Sequence, residues 1–256
     1  MNEIIDKIYR YIEQNNMLTD CERVVVGLSG GADSVCLLMV LKGYIERKHL
    51  QTELCAVHVN HGIRQEAGDD EEFARALCER MGVEFMAYHI DAAGLAKQLG
   101  ISVEEAGRKE RYRIFNEACK ECNARIAVAH HMNDQAETVL MNLSRGTSLK
   151  GIGGIRPVRD NIIRPLLSVT RAEVEEVLKG FNQPYVIDAT NLCNDYTRNS
   201  LRNVVIPYMT DNINSHTVEN IASAASELQQ DFDFIESEAD KAYNKYVTEG
   251  DNVVIK

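Results

Sequence analysis

Short apolar runs alternate with helical patterns through much of the chain. Val24–Leu28 is a β-branched run that predicts a strand, and Ser34–Arg47 sets Val35, Leu38, Met39 and Leu41 on one helical face. Leu54–Val59 predicts a second strand, Asp69–Met81 a helix with Phe73, Leu77 and Cys78 on one side, and Val83–Ile90 a third strand. Ser102-Val103-Glu104-Glu105 fits a capping box that opens a helix running to about Cys119. Arg125–Ala129 predicts a fourth strand and Asp134–Leu143 the next helix. Strands alternating with helices require crossover connections. The fold class is therefore α/β: a doubly wound, mostly parallel sheet with helices on both faces, followed by a small helical C-terminal segment. Gly146, Gly151, Gly153 and Gly154 predict a mobile loop between Arg145 and Pro157. Thr170-Arg171-Ala172-Glu173 caps a short helix that stops near Gly180. Thr217–Tyr246 predicts one or two acidic helices, and Asn252–Ile255 the start of a strand with no partner left in the chain.

Ligands of open parallel sheets sit outside the carboxyl ends of the strands. The three segments richest in chemistry fall there: Ser29–Ser34, His58–Arg64 and His130–Glu137. In Ser29-Gly30-Gly31-Ala32-Asp33-Ser34 a strand feeds a glycine turn and then a helix N-terminus, whose N–H groups and dipole bind phosphate. The loop lacks the lysine of a Walker A motif and the spacing of a dinucleotide fingerprint. A carboxylate at Asp33 repels phosphates unless a cation lies between, so Mg²⁺ is expected there; the other reading is that Asp33 and Ser34 only cap the helix. Asp134 and Glu137 share a helical face and could bind an ammonium or a metal, or complete a helix cap. His130 and His131 lack the spacing of a zinc site. Arg108 and Arg111 share a face and could hold a phosphate, although Glu104 and Glu105 one turn earlier equally suit a surface ion-pair network. His58 could contact a nucleotide or be a satisfied core histidine. Cys119 and Cys122 form a lone CxxC, read as two half-buried thiols rather than a redox or metal site.

The 256 residues, 45% hydrophobic, suit one large or two modest globular domains. No apolar run is long enough to cross a membrane, and Met1-Asn2-Glu3 opens an acidic amphipathic stretch unlike a signal peptide. Seven cysteines do not read as a disulfide framework, so a reducing, cytoplasmic setting is expected. A net charge of −11 excludes broad non-specific nucleic-acid binding. The charge is uneven, however. Arg145, Lys150, Arg156, Arg159, Arg164 and Arg171 share one stretch in which Asp160 is the only acid, which suits a binding surface or a solvated face.

Together SGGADS, HVNHGIR, EEAGRKERY, AHHMNDQAET, RGTSLKGIGGI, IRPLL and DATNLCNDYTRNSLRN resemble, in order and spacing, the N-type ATP pyrophosphatase (PP-loop) superfamily. Within it they resemble the tRNA(Ile)-lysidine synthetase family, over about residues 20–210. The resemblance implies an adenine nucleotide alpha hydrolase-like fold, with a PP-loop catalytic domain over residues 1–209 and an acidic helical segment over 210–256 that starts a further domain. That family uses ATP to adenylate the C2 oxygen of the first anticodon cytidine of a tRNA(Ile) with a CAU anticodon. Free L-lysine then displaces AMP. The resemblance thus implies ATP and Mg²⁺ at Ser29, Gly30, Gly31, Ala32, Asp33, Ser34 and His58, with the metal at Asp33. It implies catalytic roles for Asp33, Arg108, Arg111, Asp134 and Glu137, lysine recognition by Asp134, Glu137 and His131, and tRNA contacts from Arg145, Lys150, Arg156, Arg198 and Arg202. It further implies a homodimer and no membrane partner. Asn133 departs from the pattern, since the family often has a second acid there, and many members carry a C-terminal domain beyond the point matching Lys256. Two alternatives stand beside this reading. One is a tRNA thiolase of the same superfamily using Cys119, Cys122 and Cys193, although in thiolases the cysteine pair precedes the Arg-rich helix. The other is a non-catalytic nucleotide-binding module, which would not need Asp33, Asp134 and Glu137.

Overall fold

A computed structural model describes residues 1–60, 67–120, 122–187, 197–248 and 254–255. In chain order its elements are α1 (Asn2–Gln14), β1 (Arg23–Gly27), α2 (Ala32–Arg47), β2 (Glu53–Asn60), α3 (Ala67–Met81), β3 (Glu84–His89), α4 (Ala92–Leu99), α5 (Val103–Ala118) and β4 (Ala124–Ala127). There follow α6 (Met132–Arg145), α7 (Leu149–Ile152), β5 (Val158–Arg159), β6 (Ile162–Ile163) and α8 (Arg171–Gly180). Last come α9 (Thr197–Ser200), α10 (Ile206–Asn212), α11 (Thr217–Tyr246), β7 (Val247–Thr248) and β8 (Val254–Ile255). The chain divides into two compact units, one of Met1–Met132 with Pro157–Asn191, the other of Asn133–Arg156 with Leu192–Lys256.

The first unit is a six-stranded sheet in the order β3-β2-β1-β4-β6-β5, parallel except for β5, which pairs antiparallel with β6. Side chains alternate faces along a strand. Val24 and Val26 therefore join Ala56 and Ala127 under α1, α2 and α8, while Val25 joins Cys55, Val57 and Ile126 under Ile114 and Phe115 of α5. Helices thus cover both faces, as the alternating pattern predicts. Gly27 admits the α5 side of this packing, because a Cβ there would lie 2.7 Å from Phe115 Cζ. The expected caps form: Ser102 accepts from Glu105 N–H at 3.1 Å, and Thr170 and Glu173 close a full capping box on α8. Three elements of this unit escape the sequence pattern. The short α4 is capped by Asp91 and interrupted by Gly94, and β5 and β6 are too short for a period of two to register.

The second unit contains α6, α7 and α9 to α11. The glycine-rich stretch expected as a mobile loop instead holds α7 and is tied down by side-chain amides. Gln135 Nε2 donates to Gly153 O at 3.0 Å, Ile155 N–H to Gln135 Oε1 at 2.6 Å, and Gln229 Nε2 to Ile155 O at 3.0 Å. Between α9 and α10, Leu201–Val205 widens into a π-helical turn. Pro207 has no N–H to donate back to the preceding turn and its ring crowds the carbonyl four residues earlier, which widening relieves. Thr217–Tyr246 is one helix of 30 residues. The strand expected near the end does have a partner: β8 pairs antiparallel with β7, a local hairpin, and Asn252 and Val253 lie outside the described residues.

Candidate active site

In the first unit the strand order reverses between β1 and β4, so their carboxyl ends flank a topological switch point. β1 runs into Ser29–Ser34 and β4 into His130 and His131. The loop turns at Gly30, whose φ of 88° belongs to the left-handed region that favours glycine. Val186 N–H donates to Gly30 O at 2.9 Å and pins the outside of the turn. Ser34 is a buried strut: its hydroxyl donates to Gly31 O at 2.9 Å and accepts from Ser29 N–H at 3.1 Å. Gly31 is the N-cap of α2, and no side chain caps this end. The first-turn N–H groups of a helix have no intrahelical acceptor, and the helix dipole adds positive potential. The turn is therefore built to receive an anion. His58, buried on β2, places Nδ1 2.9 Å from Leu28 O and braces the start of the loop.

Asp33 faces two cationic or titratable neighbours. Arg171 Nη1 donates to Asp33 Oδ2 at 2.5 Å, and His131 Nε2 lies 3.8 Å from Asp33 Oδ1. Arg171 Nε also donates to Glu175 Oε1 at 2.8 Å. In the sequence Arg171 stands out only as part of a basic stretch; its place at the first position of a capping-box helix is the one local signal that sets it apart. Arg164, of the same stretch, is no surface residue: it is 6% exposed and donates from Nε to His130 Nδ1 at 3.2 Å. Burial pulls its guanidinium below the usual arginine range. Arg108 and Arg111 are exposed on α5, with Arg108 lying 5.1 Å over the Tyr112 ring, while ion pairs on this helix join Glu105 to Lys109 and Glu110 to Arg113. Cys119 and Cys122 are half-buried free thiols, and burial pushes Cys119 up to about 11, away from thiolate chemistry. His61 to Arg64, Cys193 and most of the DATNLCNDYTRN segment lie outside the described residues.

In the second unit Asp134 and Glu137 sit one turn apart on α6, both buried, Glu137 only 1% exposed. Two arginines clamp them. Arg198 Nε donates to Glu137 Oε2 at 2.7 Å and its Nη2 to Asp134 Oδ1 at 3.1 Å. Arg202 Nε donates to Glu137 Oε1 at 2.6 Å, and its Nη2 lies 3.1 Å from Asp134 Oδ1 and 3.0 Å from Glu137 Oε2. Two acids and two guanidiniums make a formally neutral cluster. It joins residues read for an ammonium to residues read for tRNA. The remaining basic candidates lie along acidic α11: Arg156 is bidentate on Asp233 at 2.6 and 2.9 Å, and Lys150 lies 3.8 Å from Glu236. The hydrogen bonds from Arg156 hold the Asp233 carboxyl below the usual carboxylate range. Arg145 is exposed at the end of α6.

The family model for the PP-loop domain matches residues 2–209. The tRNA(Ile)-lysidine synthase of Clostridioides difficile is 44% identical over 245 residues, 94% of this chain and 53% of that protein. The tRNA(Ile)-lysidine synthase of Bacteroides thetaiotaomicron is 37% identical over 98% of this chain and 56% of its own length. The chain spans about half the length of the curated relatives it matches. Among solved structures, the U34-tRNA thiolase NcsA from Methanococcus maripaludis with its [4Fe-4S] cluster superposes with a TM-score of 0.70 at 22% identity, over 89% of this chain and 79% of that one. The NH3-dependent NAD synthetase from Campylobacter jejuni has a TM-score of 0.52 at 16% identity, over 88% of this chain and 93% of that one. These two likenesses establish the fold. With the uncapped Ser-Gly-Gly turn at the switch point of a parallel sheet and a family match over most of its length, the chain belongs to the PP-loop domain family.

Proposed function

We propose that this chain carries the adenylating and lysine-coupling chemistry of a tRNA(Ile)-lysidine synthetase. The observation that carries the reading is the uncapped N-terminus of α2 behind Ser29–Ser34, in a chain whose relatives bear that name. Backbone N–H groups of Gly30, Gly31, Ala32 and Ser34 receive ATP phosphates, Ser29 and His58 hold the turn, and Arg108 and Arg111 add positive charge for the leaving pyrophosphate. Mg²⁺ fits a site of this kind, since the ion takes one or two carboxylates and completes its shell with phosphate oxygens and water. Asp33 is the carboxylate that would hold it, and the bound ion would offset phosphate charge. Arg171, now on Asp33, neutralises the acid until then.

The C2 oxygen of the first anticodon cytidine attacks the α-phosphorus of ATP, and the bond to pyrophosphate breaks. The ε-amine of lysine then attacks C2, AMP leaves with the C2 oxygen, and the amine proton passes to a carboxylate. Asp134 and Glu137 recognise the ammonium of lysine, which enters by exchange with a guanidinium of Arg198 or Arg202. Arg145, Lys150, Arg156, Arg198 and Arg202 contact the backbone of a tRNA(Ile) with a CAU anticodon. Several of these cations are already paired, so tRNA binding is steeply salt dependent. Half-burial and a raised pKa of Cys119 favour this reading over sulfur transfer. No helix among the described residues is long and apolar enough to cross a membrane, which suits a cytoplasmic enzyme. The test is product analysis with ATP, lysine and tRNA. AMP and pyrophosphate are expected, with a loss of about 10²-fold or more in Asp33→Ala; ADP as sole nucleotide product overturns the reading.

A further inference from the structure

Two histidines stand on the strands either side of β1, and their hydrogen bonds fix opposite tautomers. The parallel ladders set Gly27 against Val57 and Val26 against Ala127. Continued past the ladders, those registers bring His58 level with Leu28 and His130 level with Ser29, so the two residues flank the start of the phosphate-binding turn. Which ring nitrogen carries the hydrogen is set by the bond that the other nitrogen makes. His58 Nδ1 lies 2.9 Å from Leu28 O, and a carbonyl only accepts, so its hydrogen is on Nδ1. At His130 the polarity is reversed. Arg164 Nε donates to His130 Nδ1 at 3.2 Å, and a guanidinium has no acceptor to offer. Nδ1 therefore presents its lone pair, and the ring hydrogen sits on Nε2.

Arg164 is mounted to hold that state. Its N–H donates to Pro157 O at 2.9 Å and its carbonyl accepts from Leu167 N–H at 3.2 Å, with Pro165 fixing the chain between. The side chain is buried, with Tyr112 as a further hydrogen-bonding neighbour and Arg108 and Arg159 as nearby cations. Protonating His130 would turn Nδ1 into a donor facing the guanidinium, two positive charges at hydrogen-bond distance. His130 itself is only half-buried. It is thus a fixed, uncharged donor at the edge where the uncapped end of α2 attracts anions.

We propose that His130 donates from Nε2 to a phosphate oxygen of the nucleotide seated at Ser29–Ser34, and that Arg164 is the positioning residue that keeps the hydrogen off Nδ1. The inference rests on the nucleotide site of the proposed function. It adds a donor that neither the glycine turn nor the arginines of α5 supply.

The experiment is ¹⁵N NMR of the imidazoles, with the Gly30 and Gly31 amides followed in the same samples as ATP and Mg²⁺ are added. His130 should hold its hydrogen on Nε2, with His58 as the internal contrast on Nδ1, and the His130 Nε2–H should shift as ATP binds. Arg164→Met should return hydrogen to Nδ1, as the second tautomer or as imidazolium; an unchanged tautomer overturns the role of Arg164. Calorimetric titration separates a contact from a merely structural role, and circular dichroism checks that each variant is folded. His130→Asn keeps an acceptor for Arg164 but has no donor at the Nε2 position, so it should bind ATP about tenfold or more weakly, with adenosine unaffected. His130→Gln, whose amide reaches that position, should stay within about threefold. ATP bound as tightly by His130→Asn as by the wild type overturns the proposal, as does a wild-type hydrogen on Nδ1 of His130. A His130 that ignores ATP while Gly30 and Gly31 respond overturns it and leaves the ATP site standing; silence at all three overturns the ATP site as well. A response to L-lysine in place of ATP puts the oxygen on the amino acid and overturns the phosphate assignment.

Discussion

Replacing Glu137 with glutamine removes one charge from the four-residue cluster while keeping the shape of the side chain. The carboxylate accepts from Arg198 Nε at 2.7 Å, Arg202 Nε at 2.6 Å and Arg202 Nη2 at 3.0 Å. Glutamine can accept through one oxygen only, and its NH₂ then faces a guanidinium N–H. A hydrogen bond to a charged group contributes about 1.5–3 kcal/mol against about 1 for a neutral one. Removing one partner of a buried ion pair costs about 3–5 kcal/mol. The arginine side chains here are 35% and 37% exposed, so water compensates part of the loss. A cost of about 2–3 kcal/mol remains, which for a chain of this size lowers Tm by about 5–10 °C. Scanning calorimetry reads the shift and resolves separate unfolding of the two units. A double-mutant cycle with Arg202→Gln should give a coupling of at least about 1 kcal/mol. A Tm change below about 1 °C, or a coupling of zero, would refute the clamp.

Three further outcomes follow from the same structure. Asp134→Asn, which weakens two 3.1 Å contacts, should raise the KM for lysine while leaving ATP binding in place; equal effects on both substrates would move the lysine site elsewhere. Gly27→Ala would drive a Cβ to 2.7 Å from buried Phe115, and overpacking of this kind costs about 1–3 kcal/mol; a urea midpoint shift checks it, Phe115→Leu in the same chain should recover part, and an unchanged midpoint counts against the packing. Burial raises the Cys119 thiol from 9.0 to about 11, so its alkylation should lag an ordinary thiol about 10²-fold at pH 8 and rise with a midpoint near pH 11. Because the folded value lies above the unfolded one, the stability linked to Cys119 is present below pH 9 and is lost as pH rises through about 11. Alkylation at the rate of an exposed thiol would contradict it.

What could be read from the chain was local. The runs at Val24–Val26 and Cys55–Val57, the caps at Ser102 and Thr170 and the turn at Ser29–Ser34 each carry their signal within a few residues, and each forms its element. What was not legible depends on partners far apart in sequence. Arg171 meets Asp33 across 138 residues, Arg198 meets Glu137 across 61, and Arg156 meets Asp233 across 77. No period or motif records such pairs. Charge counting therefore gave a basic stretch and an acidic tail as separate features, although Arg156 and Lys150 lie against acids of α11. The packing of Phe115 over Gly27 is similarly silent, because a glycine near a strand end also reads as a turn.

The most direct test of the central claim is nucleoside mass spectrometry of a tRNA(Ile) transcript with a CAU anticodon after incubation with the protein, ATP, Mg²⁺ and L-lysine. The account predicts a cytidine at the first anticodon position heavier by one lysine residue, formed only when ATP and lysine are both present, with one AMP and one pyrophosphate released per modification. An unmodified transcript with ATP converted to ADP, or a sulfur-containing nucleoside in place of the lysine adduct, would contradict it.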